Sequence, residues 1–498
     1  MTNNRILSVI ALRITKTLAI LILTNGQSVA QTEKLEIELE DNTAILTWPG
    51  DELLFSSPTL QNFTLIEGAQ SPFEQSITES EQLFFQLRTL PEVLLPIDGS
   101  IVGTELINVQ GLIGSVLANA PELSVTINGQ NAQIDTNSDG ETIFALNDFD
   151  LAVGSNTLAV VFTTSAGVQQ TQNLNITYLP VTASNVTIVG DFAYAAQEES
   201  GVAIVNLETR SRTTLTVGNT TPAVDDLSFD GNFLFTLNTS STTQTLSVYS
   251  LENPTLPTLV SGPISAGTGF FSGVSAAEGR VAIAGGISPF VVRNYNPTTG
   301  VLSTLSSSSN LSVIGRPDVL LSADGELAHV SVDFTSAPNP PNGLRFGLVT
   351  VNLNDPPANS TNGPAFSLTN LDNSFGLSSG GQSPANFPVE SALAGNRLLV
   401  TSGTNLAILS SDGSSFQSNL PLGFFSVNVD GDDTTAFVVG SQNETPTLAE
   451  IDFSNPNSPA IVSTTSFPGA GLFTGVSVNE DYVAIAANNG SLRILNRN

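Results

Sequence analysis

Few side chains in this 498-residue sequence are placed to do chemistry. The run Asp135-Thr136-Asn137-Ser138-Asp139-Gly140-Glu141 puts Asp135, Asn137 and Asp139 at alternating positions, so their oxygens could wrap a hard cation such as Ca²⁺. The twelfth position of that loop, which needs a bidentate carboxylate, is Leu146, leaving Asp148 or Asp150 as late ligands. A plain Asp/Asn/Gly turn accounts for the same residues. A second acidic turn, Asn428-Val429-Asp430-Gly431-Asp432-Asp433, has Ala436 where its last carboxylate would fall, and reads as a hairpin. The single histidine, His329, lies in the apolar stretch 327–332 and reads as a structural side chain rather than a general base. With no Cys there is no thiolate metal site, disulfide or Cys nucleophile, and one His leaves none for a His-rich metal centre.

Charge narrows the partners. Lys+Arg number 14 against 45 Asp+Glu, a net −31. Nucleic-acid affinity rests on many cations neutralising phosphates, so nucleic acid is excluded as a partner. No apolar run reaches the ~20 residues of a spanning helix, so no membrane span is expected in the mature chain. Residues 1–30 carry Arg5, Arg13 and Lys16 but no acid, then an apolar run over 18–23 and the small residues Ser28 and Ala30. That order predicts a signal peptide and export to the periplasm, cell surface or medium.

The elements that must position any site are strands. Beyond residue 30, Gly and Pro punctuate short β-branched and aromatic runs, with no sustained helical period, so the chain is read as all-β. Residues 33–90 alternate strongly around Thr47-Trp48-Pro49, with Trp48 read as core. In residues 91–180, Ser124-Val125-Thr126-Ile127 runs into Asn128-Gly129, a hairpin signal. Residues 183–498 contain an internal repeat: the 14 residues Phe271–Ala284 recur as Phe473–Ala486 with nine identities. Looser copies place turns near 190, 230, 278, 324, 395, 430 and 480, a period suited to four-stranded propeller blades. The stretches 336–343 and 354–386 read as surface insertions. The last blade is expected to lack its outer strand or to take it from near residue 180.

These motifs carry resemblances. The pieces Thr47-Trp48-Pro49, Ser57–Phe63 and Phe84–Arg88 resemble fibronectin-type-III-like modules, with Gln86 where that family more often has Arg. The segment around Ser124–Gly129 and Gly154–Leu158 is similar to bacterial Ig-like modules. The region from 183 resembles LVIVD-repeat and WD40-like secreted propellers through Gly190–Ala195, Val202–Leu207 and Ile451–Pro456; it has no Gly-His or Trp-Asp dipeptide. Together they imply a C-terminal seven-bladed β-propeller preceded by two β-sandwich modules.

Propellers place ligands at one mouth of the channel, on the inner strands. Strand starts there include Asp225, Asp226, Asp318, Glu390 and Asn428, the candidate ligand-binding residues. The function expected is an exported, non-catalytic binding or scaffold protein that needs no cofactor and presents a propeller surface to a protein, small-molecule or glycan partner. The alternative is a lactonase- or glycosidase-like hydrolase using channel carboxylates with Ca²⁺.

Overall fold

A computed structural model describes residues 92–113, 123–137, 142–163, 169–197, 200–215, 224–238, 244–266, 271–285, 290–309, 318–333, 346–354, 366–370, 389–468, 470–488 and 492–497. Before residue 92 it describes strands alone, including Val9–Thr15, Thr17–Leu23, Glu36–Glu40, Thr43–Thr47 and Gln82–Arg88. The cleavage-site residues 28–30, Trp48, Asp139 and most of the two expected insertions lie outside the described residues. Among the described residues every regular element is a strand.

The chain divides into two compact units. In the first (1–97, 108–147 and 157–174), Ser124–Ile127 pairs with Gln130–Asn131 through the expected Asn128-Gly129 turn, where φ is 47° and 84°. The other edge of Ser124–Ile127 pairs with residues 160–163, and Phe144 and Phe162 pack edge-to-face, centroids 5.4 Å apart.

The second unit (98–107, 148–156 and 175–498) is built from consecutive antiparallel sheets in simple order. Six have four strands, with inner strands Asn185–Val189, Asp226–Asp230, Phe271–Ala277, Val319–Leu321, Val389–Ala394 and Phe425–Gly431. The seventh, with inner strand Phe473–Val478, has three strands among the described residues. Each inner strand packs against the inner strands on either side, and the seventh packs against the first, which closes a ring.

Second strands such as Phe233–Asn238 and Tyr482–Ala487 are buried almost throughout, because neighbouring sheets cover both faces. A separate apolar cluster fills each junction between consecutive sheets: Tyr194, Ile204, Leu227 and Leu234 lie between sheets one and two, and Val186, Ala193, Ala484 and Ala486 between seven and one. Burying the larger of these side chains, such as Ile204, Leu227, Leu234 and Val186, contributes about 1.5–3 kcal/mol apiece, and the alanines less, and this holds the ring together. Hairpins at the expected turns join first to second strands; Gly231 (φ 58°) and Gly395 (φ 56°) take a left-handed conformation that other residues enter with strain.

The outer strands carry a shared irregularity. In sheets two, three, five and six the fourth strand shifts register against the third. Such bulges twist an exposed edge away from straight pairing and suppress edge-to-edge association. The seventh sheet closes through short contacts. The Ala183 N–H donates to Ala487 O at 3.2 Å, Thr104 bridges in parallel to Leu492, and Glu105 pairs with Arg493 at 2.8 Å. Residue 183 therefore meets the end of the second strand rather than the outer edge, and no fourth strand is formed among the described residues.

Candidate functional site

The ring has one register. Asn185 lies opposite Ala196, Asp226 opposite Leu237, Gly273 opposite Ala284, Glu390 opposite Thr401, Asn428 opposite Val439 and Gly475 opposite Ala486. Asp318 accepts the Ser331 N–H at its carbonyl and completes the set. In each pair the second-strand residue is the fifth counted from Phe192, Phe233, Arg280, Leu327, Arg397, Thr435 or Tyr482. These first-strand residues therefore form one layer of the ring.

What that layer does follows from the edge of each inner strand. Alternate residues pair with the second strand, so the intervening N–H groups face away from it and need acceptors. The side chain of the layer residue in the preceding sheet supplies one. Asp226 Oδ2 accepts the Val274 N–H at 2.7 Å, Asp318 Oδ2 accepts the Ser391 N–H at 3.0 Å, and Asn428 Oδ1 accepts the Val476 N–H at 3.2 Å. Two residues on, a second tier repeats the pattern. Ser228 accepts from Ala276, Ser275 from Leu321, Asp430 from Val478 and Ser477 from Ile188, at 2.9 to 3.0 Å. Where the preceding layer residue is glycine, the acceptor comes from the residue before the N–H itself. After Gly273, Asp318 Oδ1 accepts from Val319 at 2.8 Å; after Gly475, Asn185 Oδ1 accepts from Val186 at 2.8 Å.

The carboxylates are thereby committed. Asp226 takes Asn185 Nδ2–H on Oδ1 and Val274 N–H on Oδ2. Asp318 takes Val319 N–H on Oδ1 and both the N–H and the Oγ–H of Ser391 on Oδ2, the latter at 2.8 Å. Burial pushes Asp226 up to about 7 against the pull of Asn185 and Val274, with the Asp318 charge adding to the rise. Burial also raises Asp318 to about 6, opposed by Ser391 and Val319. Asp430 rises to about 6 by burial despite its bonds from Val478, Gly431 and Ser477. Glu390 differs. Burial raises it well above the usual carboxylate range, the Asp318 and Asp226 charges add to that, and no hydrogen bond from the described residues opposes it. Part of its surface remains open.

Asp226, Asp318, Glu390 and Asn428 thus share a layer, and the first three feel one another's charge. Asp225, one residue before the layer, stands apart: its N–H donates to Leu237 O and its carbonyl accepts Ser184 Oγ–H. Asp135 lies on the exposed strand Gln133–Thr136, opposite Ile143, and Oδ1 accepts the Thr136 N–H at 2.7 Å; Asn137 follows that strand. In the second acidic turn Asp432 Oδ1 accepts the Thr434 and Thr435 N–H groups, and Oδ2 meets Arg497 at 2.5 Å. Among the described residues no three His, Asp or Glu side chains are arranged to hold a metal ion. His329 is fully buried.

Reading the sequence did not single out Asn185 or the serines at 228, 275 and 477, and took Asp430 only as part of the second acidic turn. A signal for Asp430 and the serines existed: aligning the repeats puts a polar or glycine residue, an apolar residue and then Ser or Asp at 226–228, 273–275, 428–430 and 475–477.

The LVIVD repeat family matches residues 182–215, the first sheet of the ring. No curated protein matches the chain. Among solved structures, the WD40 repeats of RRP9 align at 9% identity and a TM-score of 0.44, covering 64% of this chain and 95% of that one. A structural-genomics protein of unknown function from Bacteroides thetaiotaomicron VPI-5482 aligns at 11% identity and a TM-score of 0.36, covering 82% and 98%. The family match and the succession of antiparallel sheets make this an all-β protein with β-propeller repeats.

Proposed function

We propose that the chain is an exported, non-catalytic scaffold or binding protein, in which a seven-bladed propeller follows a fibronectin-type-III-like and an Ig-like module. The propeller presents its surface to a protein, small-molecule or glycan partner and needs no cofactor. One observation carries this reading: the layer acids Asp226 and Asp318 have both oxygens engaged by donors of the ring itself, so they act as staples between sheets rather than as open ligands. Withdrawing either from its N–H partner to bind Ca²⁺ or a substrate would strand a main-chain donor at a cost of about 1–3 kcal/mol.

The second reading, a propeller hydrolase, is favoured by Glu390 alone. Its carboxyl is raised well above the usual range beside the Asp318 charge, with no hydrogen bond from the described residues to oppose the rise, as a general acid requires. Calorimetry with Ca²⁺ on the whole chain, run beside ester, lactone and glycoside turnover assays, separates the two. The scaffold reading expects no binding heat abolished by Asp226→Asn and no turnover sensitive to Glu390→Gln. Calcium-dependent turnover lost in both variants would overturn it.

A further inference from the structure

His329 is the only histidine of the chain, and its side chain has no exposed surface. It sits on the second strand of sheet four, opposite Thr350 of the third strand, with Nδ1 3.1 Å from Thr350 Oγ1. Nε2 has no hydrogen-bond partner among the described residues. The pair is covered from the next sheet by the turn between the third and fourth strands of sheet five, residues 410–415. A Cβ added to Gly413 would stand 2.8 Å from Thr350 Oγ1 and 3.2 Å from His329 Nδ1. That turn is tied within itself: Gly413 N–H donates to Ser410 O at 2.8 Å, and Asp412 Oδ1 accepts the Ser414 N–H at 3.0 Å.

Among the described residues, the junction it closes has the smallest buried apolar cluster of the ring. Leu348, Leu398, Val400, Ala407 and Leu409 form its buried cluster, whereas the junction of sheets six and seven has eight such residues. We propose that His329 is an acid-operated latch between sheets four and five: the turn 410–415 seats on the neutral imidazole, and taking up one proton releases it.

The charged ring would need hydration that the seated turn denies it. The groups facing the imidazole are the Ser411 main chain and Asp412 from the turn and Asp324 from the first hairpin of sheet four; all three favour the charged form. Burial outweighs them and holds His329 below its usual range. A base with a lowered pKa in the seated state binds its proton more tightly when released. The seated state therefore loses stability as pH falls below about 6.5, by at most tenfold per pH unit for one proton.

A single histidine gives a single pair of imidazole ¹⁵N signals, so the test is direct on the whole chain. Imidazole ¹⁵N shifts are followed from pH 8 to pH 4.5 alongside hydrogen exchange at Ser410, whose N–H donates to Ser415 O across the turn. The control amide is Ile188, capped by Ser477 Oγ at another junction. The latch expects an imidazole titrating below 6.5 and a protection factor at Ser410 that falls up to tenfold per unit between about pH 6.5 and that titration midpoint and then levels off, while Ile188 holds. In His329→Gln, which keeps a polar side chain but does not titrate, Ser410 protection becomes independent of pH. Parallel loss at both amides, an unchanged fall in His329→Gln, or titration at or above 6.5 would each overturn the proposal. The wild-type comparison decides alone if the variant does not fold.

Discussion

Asp226 of sheet two and Val274 of sheet three are joined by a 2.7 Å hydrogen bond from main-chain N–H to carboxylate Oδ2. The same bond type joins sheets four and five through Asp318 and Ser391. A propeller-type ring has no covalent or main-chain link between neighbouring inner strands other than the chain itself, so these side chains serve as its lacing. Asp226→Ala removes two accepting oxygens and strands the Val274 N–H and Asn185 Nδ2. The expected loss is about 2–4 kcal/mol in urea unfolding, from the buried Val274 N–H and the half-buried Asn185 amide left unmet. Asp226→Asn keeps one acceptor and should lose clearly less. Equal losses in the two variants would mean that the hydrogen bond is not what the carboxyl contributes.

Stability should fall as pH rises from 5 to 8. Asp226, Asp318 and Asp430 carry folded-state values of about 7, 6 and 6, above the ordinary value of 3.8, so between about pH 4 and 7 the folded chain holds protons that the unfolded chain has released. Each such group withdraws up to about 1.4 kcal/mol per pH unit over its window, and less where the groups share their proton affinity. Urea midpoints at pH 5, 6, 7 and 8 read this directly. Glu390→Gln removes one carboxyl and its repulsion of Asp318, and should flatten the slope. A midpoint that rises with pH would show the layer acids to be stabilised in their charged form.

The propeller-type repeat could be read from the chain because most sheets repeat one instruction: an inner strand, a short turn that usually bears glycine, and an apolar second strand. Phe271–Ala284 and Phe473–Ala486 keep nearly the whole of it. The layer was only half legible. Asp226, Asp318, Glu390 and Asn428 stand out as polar residues at strand starts, but their partners are main-chain N–H groups in the next sheet, and a main-chain donor has no letter in the sequence. The serines are marked only when the repeats are aligned, and Asn185 differs from its counterparts in type, so the register of the folded sheets is what places them together. The Asp135 run shows the converse, a spacing suited to metal whose first residue folds into an exposed strand.

Gly440→Ala should be among the most damaging single-methyl changes in the molecule. The added Cβ would fall 1.9 Å from Phe425 O and 2.9 Å from Ser426 Cα, both main-chain atoms of the adjoining inner strand. No side-chain rotation relieves a main-chain clash, so the two strands must separate or shift register, at a cost of about 1–3 kcal/mol or more. Gly475→Ala meets the amide oxygen of Asn185 at 2.8 Å, and part of that contact can move. Melting temperatures should therefore rank wild type above Gly475→Ala, and Gly475→Ala above Gly440→Ala. The reverse order would place the sheet-six hairpin in a different register.

Arg210 offers the sharpest contrast between charge and packing. It is 3% exposed at the turn after the third strand of sheet one, with its guanidinium 5.5 Å from the ring centroid of Tyr482 in sheet seven. Nη2 reaches Ile494 O at 3.5 Å, while Nε and Nη1 have no partner among the described residues. Burial depresses it to about 10, with Tyr482 and Asp148 opposing that fall. A buried cation so thinly paired contributes little beyond its stem, and an apolar side chain of similar length can replace it without loss. Arg210→Met should leave stability within about 1 kcal/mol of wild type or raise it, whereas Arg210→Ala, which also empties the volume, should cost about 2 kcal/mol or more. Both variants share the left-handed backbone at this position (φ 60°), so strain cancels between them. If Met proved as costly as Ala, the guanidinium itself would be the tie between the first and last sheets.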